Sequence, residues 1–295
     1  MAISKLLNIA IGTVKLAKSR VSRASVFTSS TLTGVLIASK GHPNLDVLIL
    51  APLAIFFLSM ATYLFNDIFD SEVDRINAPN RPIASQSVSR KEALTFVTIL
   101  NATGVIIGLD LGRIAFGITF LLILLGVFYS IKPFSFKDRF LVKTLSIGAG
   151  GVSAVIFGGA AVGSISPSLI FCSAMFLVFL FATSPINDLA DFIGDHAQKR
   201  RTIPIVIGSS RTVLLAIVAS ITPLVSAIIF SQLLGLNGFS ILLLTLLAGR
   251  SLQLLMPLTE FGSAVDSKLV RRNHKKMVPL HFLLLSALAL GAFAI

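Results

Sequence analysis

The chain has 295 residues, a mean hydropathy of +0.91, no Trp, 23 Phe and a formal net charge of +12. Such apolarity excludes an ordinary soluble domain, which needs far more polar surface, and places the chain among polytopic α-helical membrane proteins. With a single cysteine, Cys172, no intrachain disulfide can form, and its position inside the apolar run from Leu169 to Ala182 makes it a small packing residue.

The first twenty residues alternate apolar positions (Ile3, Leu6, Leu7, Ala10, Ile11, Val14) with Lys5, Lys15 and Lys18. This pattern predicts an amphipathic helix at the membrane interface, and no small-residue cleavage site follows it. Nine apolar runs come next, at roughly 24–39, 47–65, 93–109, 114–131, 143–163, 168–186, 211–232, 239–258 and 279–295. The expectation is one all-α membrane domain over residues 1–295 with about nine transmembrane helices. If the N-terminus and the alternate loops share one side, 22 of the 25 basic residues fall on that side, leaving Lys40 and Arg113 opposite and Arg250 within a span. That asymmetry makes the basic side cytoplasmic. The positive charge then reflects topology and contact with anionic membrane lipid, not a nucleic-acid surface. Arg75, Arg90 and Lys91 belong to this topological set.

The acidic residues are distributed very differently. "NDIFDSEVD" (Asn66–Asp74) and "NDLADFIGD" (Asn187–Asp195) share the spacing N-D-x-x-D-x-x-x-D and hold seven of the thirteen acids. They begin where the second and sixth runs end, on the cytoplasmic side, 121 residues apart. The repeat predicts two related halves meeting around one central cavity. On a helix, Asn66, Asp70 and Asp74 form one stripe, as do Asn187, Asp191 and Asp195, with Asp67 and Asp188 beside them. Like charges so placed call for a cation between them, and oxygen-only ligands without clustered Cys or His point to Mg²⁺. Two facing stripes suit two Mg²⁺ ions bridged by a diphosphate. Basic residues follow each string in parallel: Arg81 in "NAPNRPIAS", and Lys199 and Arg201 in "QKRRTIPIVIG". "YSIKPFSFKDR" adds Tyr129, Lys132, Lys137 and Arg139. Cations and a phenol beside carboxylates are what a metal-bound phosphate site needs to balance charge and assist a leaving group. His274 and His281 stand apart from other ligand types, and Arg250 is left to snorkel or to pair with Glu260.

These residues resemble a known family. "NDIFDSEVDRINAPNRPIAS", with its Arg81-Pro82 pair, is similar to the first aspartate-rich motif of the UbiA superfamily of intramembrane prenyltransferases. "NDLADFIGDHAQKRRTIPIVIG", with Arg201, Thr202 and Pro204, is similar to the second, and "YSIKPFSFK" resembles the family's Tyr-Ser segment with its lysine. The resemblance implies a helix bundle around a cavity that opens laterally to lipid, in which an isoprenoid leaves its diphosphate for an acceptor with the help of Mg²⁺. It implies that Asn66, Asp70, Asp74, Asn187, Asp191 and Asp195 hold the ions, supported by Asp67 and Asp188. It further implies that Arg81, Lys137 and Arg201 grip the diphosphate near Tyr129, with Lys132, Arg139 and Lys199 at the substrate. The chain departs from the family's Arg-Pro-x-Asn at the first helix, reading "SRVSRAS" over residues 19–25.

The reaction expected is ionisation of a prenyl diphosphate and capture of the allylic cation by a lipophilic acceptor, in an apolar cavity that excludes water. The rings of Phe56, Phe57, Phe65, Phe176, Phe179 and Phe181 are available to such a cation, though packing is their ordinary role. The wording of the second motif is similar to archaeal enzymes that add a second geranylgeranyl group to geranylgeranylglyceryl phosphate, which is the leading acceptor. An aromatic or quinone-precursor acceptor, an internal terpene cyclisation and, outside the class, a transporter are the alternatives.

Overall fold

The computed structural model describes residues 2–197, 199–259 and 266–291, and the side chains of these except 2–10, 76 and 77. The side chains of the apolar stripe from Ile3 to Ala10, and Glu260 of the expected Arg250–Glu260 pairing, lie outside what is described. Among those described, all regular structure is helical: α1 (Ala2–Ala38), α2 (Leu45–Asn77), α3 (Arg90–Asp110), α4 (Arg113–Ser130), α5 (Val142–Val162), α6 (Pro167–Ala190), α7 (Phe192–Ala197), α8 (Ile203–Ile207), α9 (Ser209–Leu234), α10 (Gly238–Leu255), α11 (Ser267–Met277) and α12 (Leu280–Leu290). Seven of them, α2 to α6, α9 and α10, are long and apolar enough to cross a membrane, so this is an integral membrane protein. Counting α1 and α12, which pack beside them, the bundle approximates the nine spans expected.

Local sequence marks many of the ends. Ser89 and Glu92 form a reciprocal capping box at the start of α3, Ser166 caps Leu169 with Pro167 in the first turn of α6, and Asn237 caps Ser240 on α10. Gly163 and Gly235 close α5 and α9 at φ of 83° and 65°, a left-handed conformation that costs a residue with a Cβ.

Two expectations about continuity are corrected. The stretch expected as a separate interfacial helix and the first span form one helix, α1. At 37 residues and 1.5 Å per residue it is about 55 Å long, well beyond a hydrocarbon core of about 30 Å. Its overhang packs on protein, because Leu16 is buried among residues that include Ile83 and Val88. The second correction concerns α6, which stops at Ala190. The Asp191 N–H turns back to the Asp188 carbonyl at 3.1 Å, and the chain resumes as the short α7. The first acidic string therefore lies along one unbroken helix, whereas the second is broken at Asp191.

The helices close into a ring: α1 packs on α2, α5 and α12, α5 on α6, α6 on α9, α9 on α10, and α10 on α12. Because lipid tails are as apolar as leucine, such contacts depend on close approach and interhelical hydrogen bonds more than on hydrophobicity. At the α1–α5 contact, Gly34 and Gly158 let the backbones meet, and Thr31 Oγ1 donates to the Ala154 carbonyl at 2.9 Å. A Cβ on Gly158 would collide with the Thr31 carbonyl and come within 2.7 Å of the Val35 amide nitrogen. Both obstacles are backbone. We expect Gly158→Ala to cost about 1–3 kcal/mol, the range for overpacking, and to lower the thermal midpoint in detergent. Large apolar side chains facing outward, such as Ile106, Ile229 and Leu233, are the lipid-facing surface. The six phenylalanines singled out in the sequence pack in apolar clusters: Phe56, Phe57 and Phe65 with α1–α3, and Phe176, Phe179 and Phe181 with the larger one around α6.

Candidate active site

A cavity of about 380 Å³ runs into the bundle between the two halves. Its inner wall is largely apolar, with Phe27, Ile55, Leu58, Leu122 and Leu180, while the ends of α2 and α6 bring both acidic strings to its mouth. Asn66, Asp70, Asp74, Asn187, Asp188, Asp191 and Asp195 all line it, with Arg81, Tyr129 and Lys137. The expected convergence of the two strings on one space is thus present.

Each acid meets a cation from a different element. On α2, Asn66 Nδ2 donates to Asp70 Oδ2 at 3.0 Å, an i, i+4 bond that the unbroken helix provides. Lys137, from a 3₁₀ turn at Phe136–Asp138, donates to Asp70 at 2.7 Å and to Asn66 at 3.2 Å. Asp67 points the other way and is clasped by both Nε and Nη2 of Arg20 on α1. Arg81 joins Asp67 and Asp74. On the second string, Lys143 of α5 meets Asp188, Arg271 of α11 meets Asp191 at 2.7 Å, and Arg200 stands 3.5 Å from Asp195. Arg200 also reaches Asp70 at 3.5 Å and Asp138 at 3.1 Å, so it links the two strings.

The pairing repeats between halves. The second acid-string residue is buried and bound by a cation on the preceding long helix, Arg20–Asp67 in one half and Lys143–Asp188 in the other. The last aspartate is bound by an arginine a few residues onward, Arg81 for Asp74 and Arg200 for Asp195. Buried ion pairs of this kind gain little net stability but are costly to break singly, which makes them a positioning framework.

The electrostatics of the groups outside the spans follow from burial. Desolvation pushes the Asp195 carboxyl upward, with Lys143 and then Arg200 pulling the other way. For Arg200, burial opposes the charge, but Asp70, Asp138 and Asp195 outweigh it and its pKa rises. Asp188 Oδ2 and Asp195 Oδ2 are buried without a hydrogen-bond donor. Among the described residues no three acids, histidines or cysteines gather into one ready ligand cluster. The aspartates instead alternate with basic side chains around the mouth.

Besides Asp67, which turns to Arg20, four expected site residues are not brought to the cavity. Lys132 and Lys199 are exposed, and Arg139 is exposed with Nη2 donating to the Pro133 carbonyl at 2.8 Å. Arg201 is exposed as well, and its backbone N–H donates to the Asp138 carbonyl at 3.1 Å. The adjacent Arg200 holds the inward position. In an irregular segment where Lys199 takes a φ of +55°, no periodicity tells neighbouring arginines apart. Residues not foreseen at the site are Arg20, Lys143, Arg200 and Arg271, each counted in the sequence only as a topology charge or a departure from pattern. His274 and His281, expected to stand apart, both line the cavity. His281 lies edge-on to Phe179 and within 3.2 Å of Thr183 Oγ1. Arg250 pairs with Gln253 on the surface.

The family model described as UbiA prenyltransferase family matches residues 27–260. The digeranylgeranylglyceryl phosphate synthase of Pyrococcus horikoshii is 30% identical over 228 residues, covering 75% of this chain and 78% of the relative. A solved structure described as giving structural and mechanistic insights into digeranylgeranylglyceryl phosphate synthase in membranes superposes with a TM-score of 0.72 at 23% identity, covering 97% of this chain and 99% of that one. The UbiA homolog from Archaeoglobus fulgidus, bound to DMAPP and Mg²⁺, gives a TM-score of 0.64 at 17% identity, with 92% and 99% covered. On the match over residues 27–260 and on this relative, the chain belongs to the UbiA prenyltransferase family.

Proposed function

We propose that this enzyme transfers a geranylgeranyl group from its diphosphate to geranylgeranylglyceryl phosphate, at the cytoplasmic face of the membrane. The observation that carries the reading is the meeting of two cation-braced aspartate strings at the polar mouth of an apolar-walled cavity. Such a shape holds a diphosphate at one end and a polyprenyl chain along the other. The synthase from Pyrococcus horikoshii supports the choice of acceptor.

Mg²⁺ suits this site. The buried Asp195 Oδ2 has no donor, and a hard cation would satisfy it. Mg²⁺ takes few carboxylates and completes its shell with water and phosphate oxygens, which fits aspartates spread around the mouth. The homolog bound to DMAPP and Mg²⁺ supports the same ligand pair. Asn66, Asp70, Asp74, Asn187, Asp191 and Asp195 would hold the metal, in a number of ions that we take as two. When bound, it supplies positive charge to the diphosphate oxygens.

The chain's own residues do the rest. Arg81, Lys137 and Arg200 are poised to hold the diphosphate and offset the charge that grows on it as the bond to the prenyl carbon breaks. The apolar walls keep water from the allylic cation, leaving the acceptor hydroxyl oxygen to form the new C–O bond. Its proton goes to the departing diphosphate. Twenty-two basic residues predicted on one side support a cytoplasmic site facing anionic lipid.

The test is incubation of purified enzyme with Mg²⁺ and geranylgeranyl diphosphate, with and without geranylgeranylglyceryl phosphate, followed by mass spectrometry. A doubly prenylated glyceryl phosphate that requires both lipids is the expected product. Diphosphate release with only a hydrocarbon or alcohol product would overturn the acceptor and leave cyclisation. Product formed from an aromatic acceptor instead would move the enzyme to the quinone-precursor branch.

A further inference from the structure

Six basic side chains at the cavity each meet a carboxylate, and one breaks the rule. Arg23 lies one turn beyond Arg20 on α1 and lines the same cavity. Among the described residues its guanidinium forms no ion pair and donates no hydrogen bond. It stands 5.9 Å from the ring centroid of Tyr63, and Arg20 stands 5.9 Å from the same ring. Of these two guanidiniums, Arg20 is neutralised by Asp67, an acid that Arg81 also occupies. The side chain of Arg23 is exposed at the mouth of the cavity.

His274 of α11 also lines the cavity, within the field of Arg23. Burial lowers its imidazole to about 4, so it is neutral at physiological pH and offers a hydrogen bond without a charge. An unpaired guanidinium over an aromatic face with a polar neutral neighbour suits a phosphate bound directly, without metal. The prenyl diphosphate, by contrast, belongs with the carboxylates that bind cations.

We propose that Arg23, with Tyr63 beneath it and His274 nearby, is the subsite for the phosphate monoester of the acceptor, distinct from the aspartate-lined mouth that takes the diphosphate. A phosphate monoester carries about −1.5 to −2 at neutral pH, and bringing it to the edge of an apolar cavity requires a cation not already committed. Arg23 is that cation. The inference rests on the acceptor reading above.

The experiment compares geranylgeranylglyceryl phosphate with geranylgeranylglycerol, the same lipid lacking the phosphate, as acceptors for geranylgeranyl diphosphate. The readout is the ratio of kcat/KM for the two, measured for the native enzyme, Arg23→Gln and Arg23→Lys. The native enzyme should prefer the phosphorylated acceptor. Arg23→Gln should reduce that preference at least tenfold, mainly through acceptor KM, and Arg23→Lys should restore most of it. An unchanged ratio in Arg23→Gln, or a loss confined to the KM of the prenyl diphosphate, would overturn the subsite while leaving the acceptor reading intact. A native enzyme that makes no product from geranylgeranylglyceryl phosphate would overturn the acceptor reading itself. Because Arg23 forms no ion pair among the described residues, the glutamine variant should elute from detergent size-exclusion as the native protein does.

Discussion

Asp70→Asn should lower kcat/KM for prenyl transfer by about a thousandfold or more, which is on the order of 4 kcal/mol of transition-state stabilisation. Asp70 is where three elements meet: Asn66 of its own helix, Lys137 from the 3₁₀ turn and Arg200 from the loop after α7. The amide keeps the size and can still accept from Asn66 and Lys137, so the fold should survive. What it removes is the negative charge that a divalent cation needs and that holds Lys137 and Arg200 in register. Diphosphate release at saturating donor, titrated with Mg²⁺, measures the effect. A higher Mg²⁺ requirement alongside the lost rate is expected, and activity within tenfold of native in a folded variant would remove Asp70 from the metal set.

Arg200→Ala should cost about a hundredfold in kcat/KM, whereas Arg201→Ala should stay within about threefold of native. The two residues are adjacent, carry the same charge and make opposite contacts. Arg200 reaches Asp70, Asp138 and Asp195 and therefore ties the two acidic strings together. Arg201 turns outward and uses only its backbone N–H on Asp138. The loss in Arg200→Ala should come from weaker stabilisation of the leaving diphosphate and from release of Asp195, a buried carboxylate that Lys143 would then support without it. Steady-state kinetics of both variants with geranylgeranyl diphosphate decide between them. The reverse ranking would return the role to Arg201.

Much of this protein was legible from its amino-acid order. Apolar runs of spanning length, one-sided basic charge and two N-D-x-x-D-x-x-x-D strings lead to a polytopic helical bundle, to the family and to a cavity rimmed with aspartates, because each of these is a local or periodic property. Burial within lipid forces helices, and helices convert spacing into faces. Asn66 and Asp70 were readable as neighbours for that reason alone. The membrane boundary was less legible, since α2 continues as a helix twelve residues beyond the apolar run ending at residue 65.

What the sequence could not determine is which cation each acid would meet. Arg20 and Asp67 lie 47 residues apart, Lys143 and Asp188 45, and Arg271 and Asp191 80. None of these distances has a period, and each pair exists only because α1 packs on α2, α5 on α6 and α11 on α6. The choice between Arg200 and Arg201 and the break at Asp191 are likewise consequences of loops and helix ends. There a single backbone dihedral turns a side chain inward or outward, and only the assembled bundle selects the dihedral.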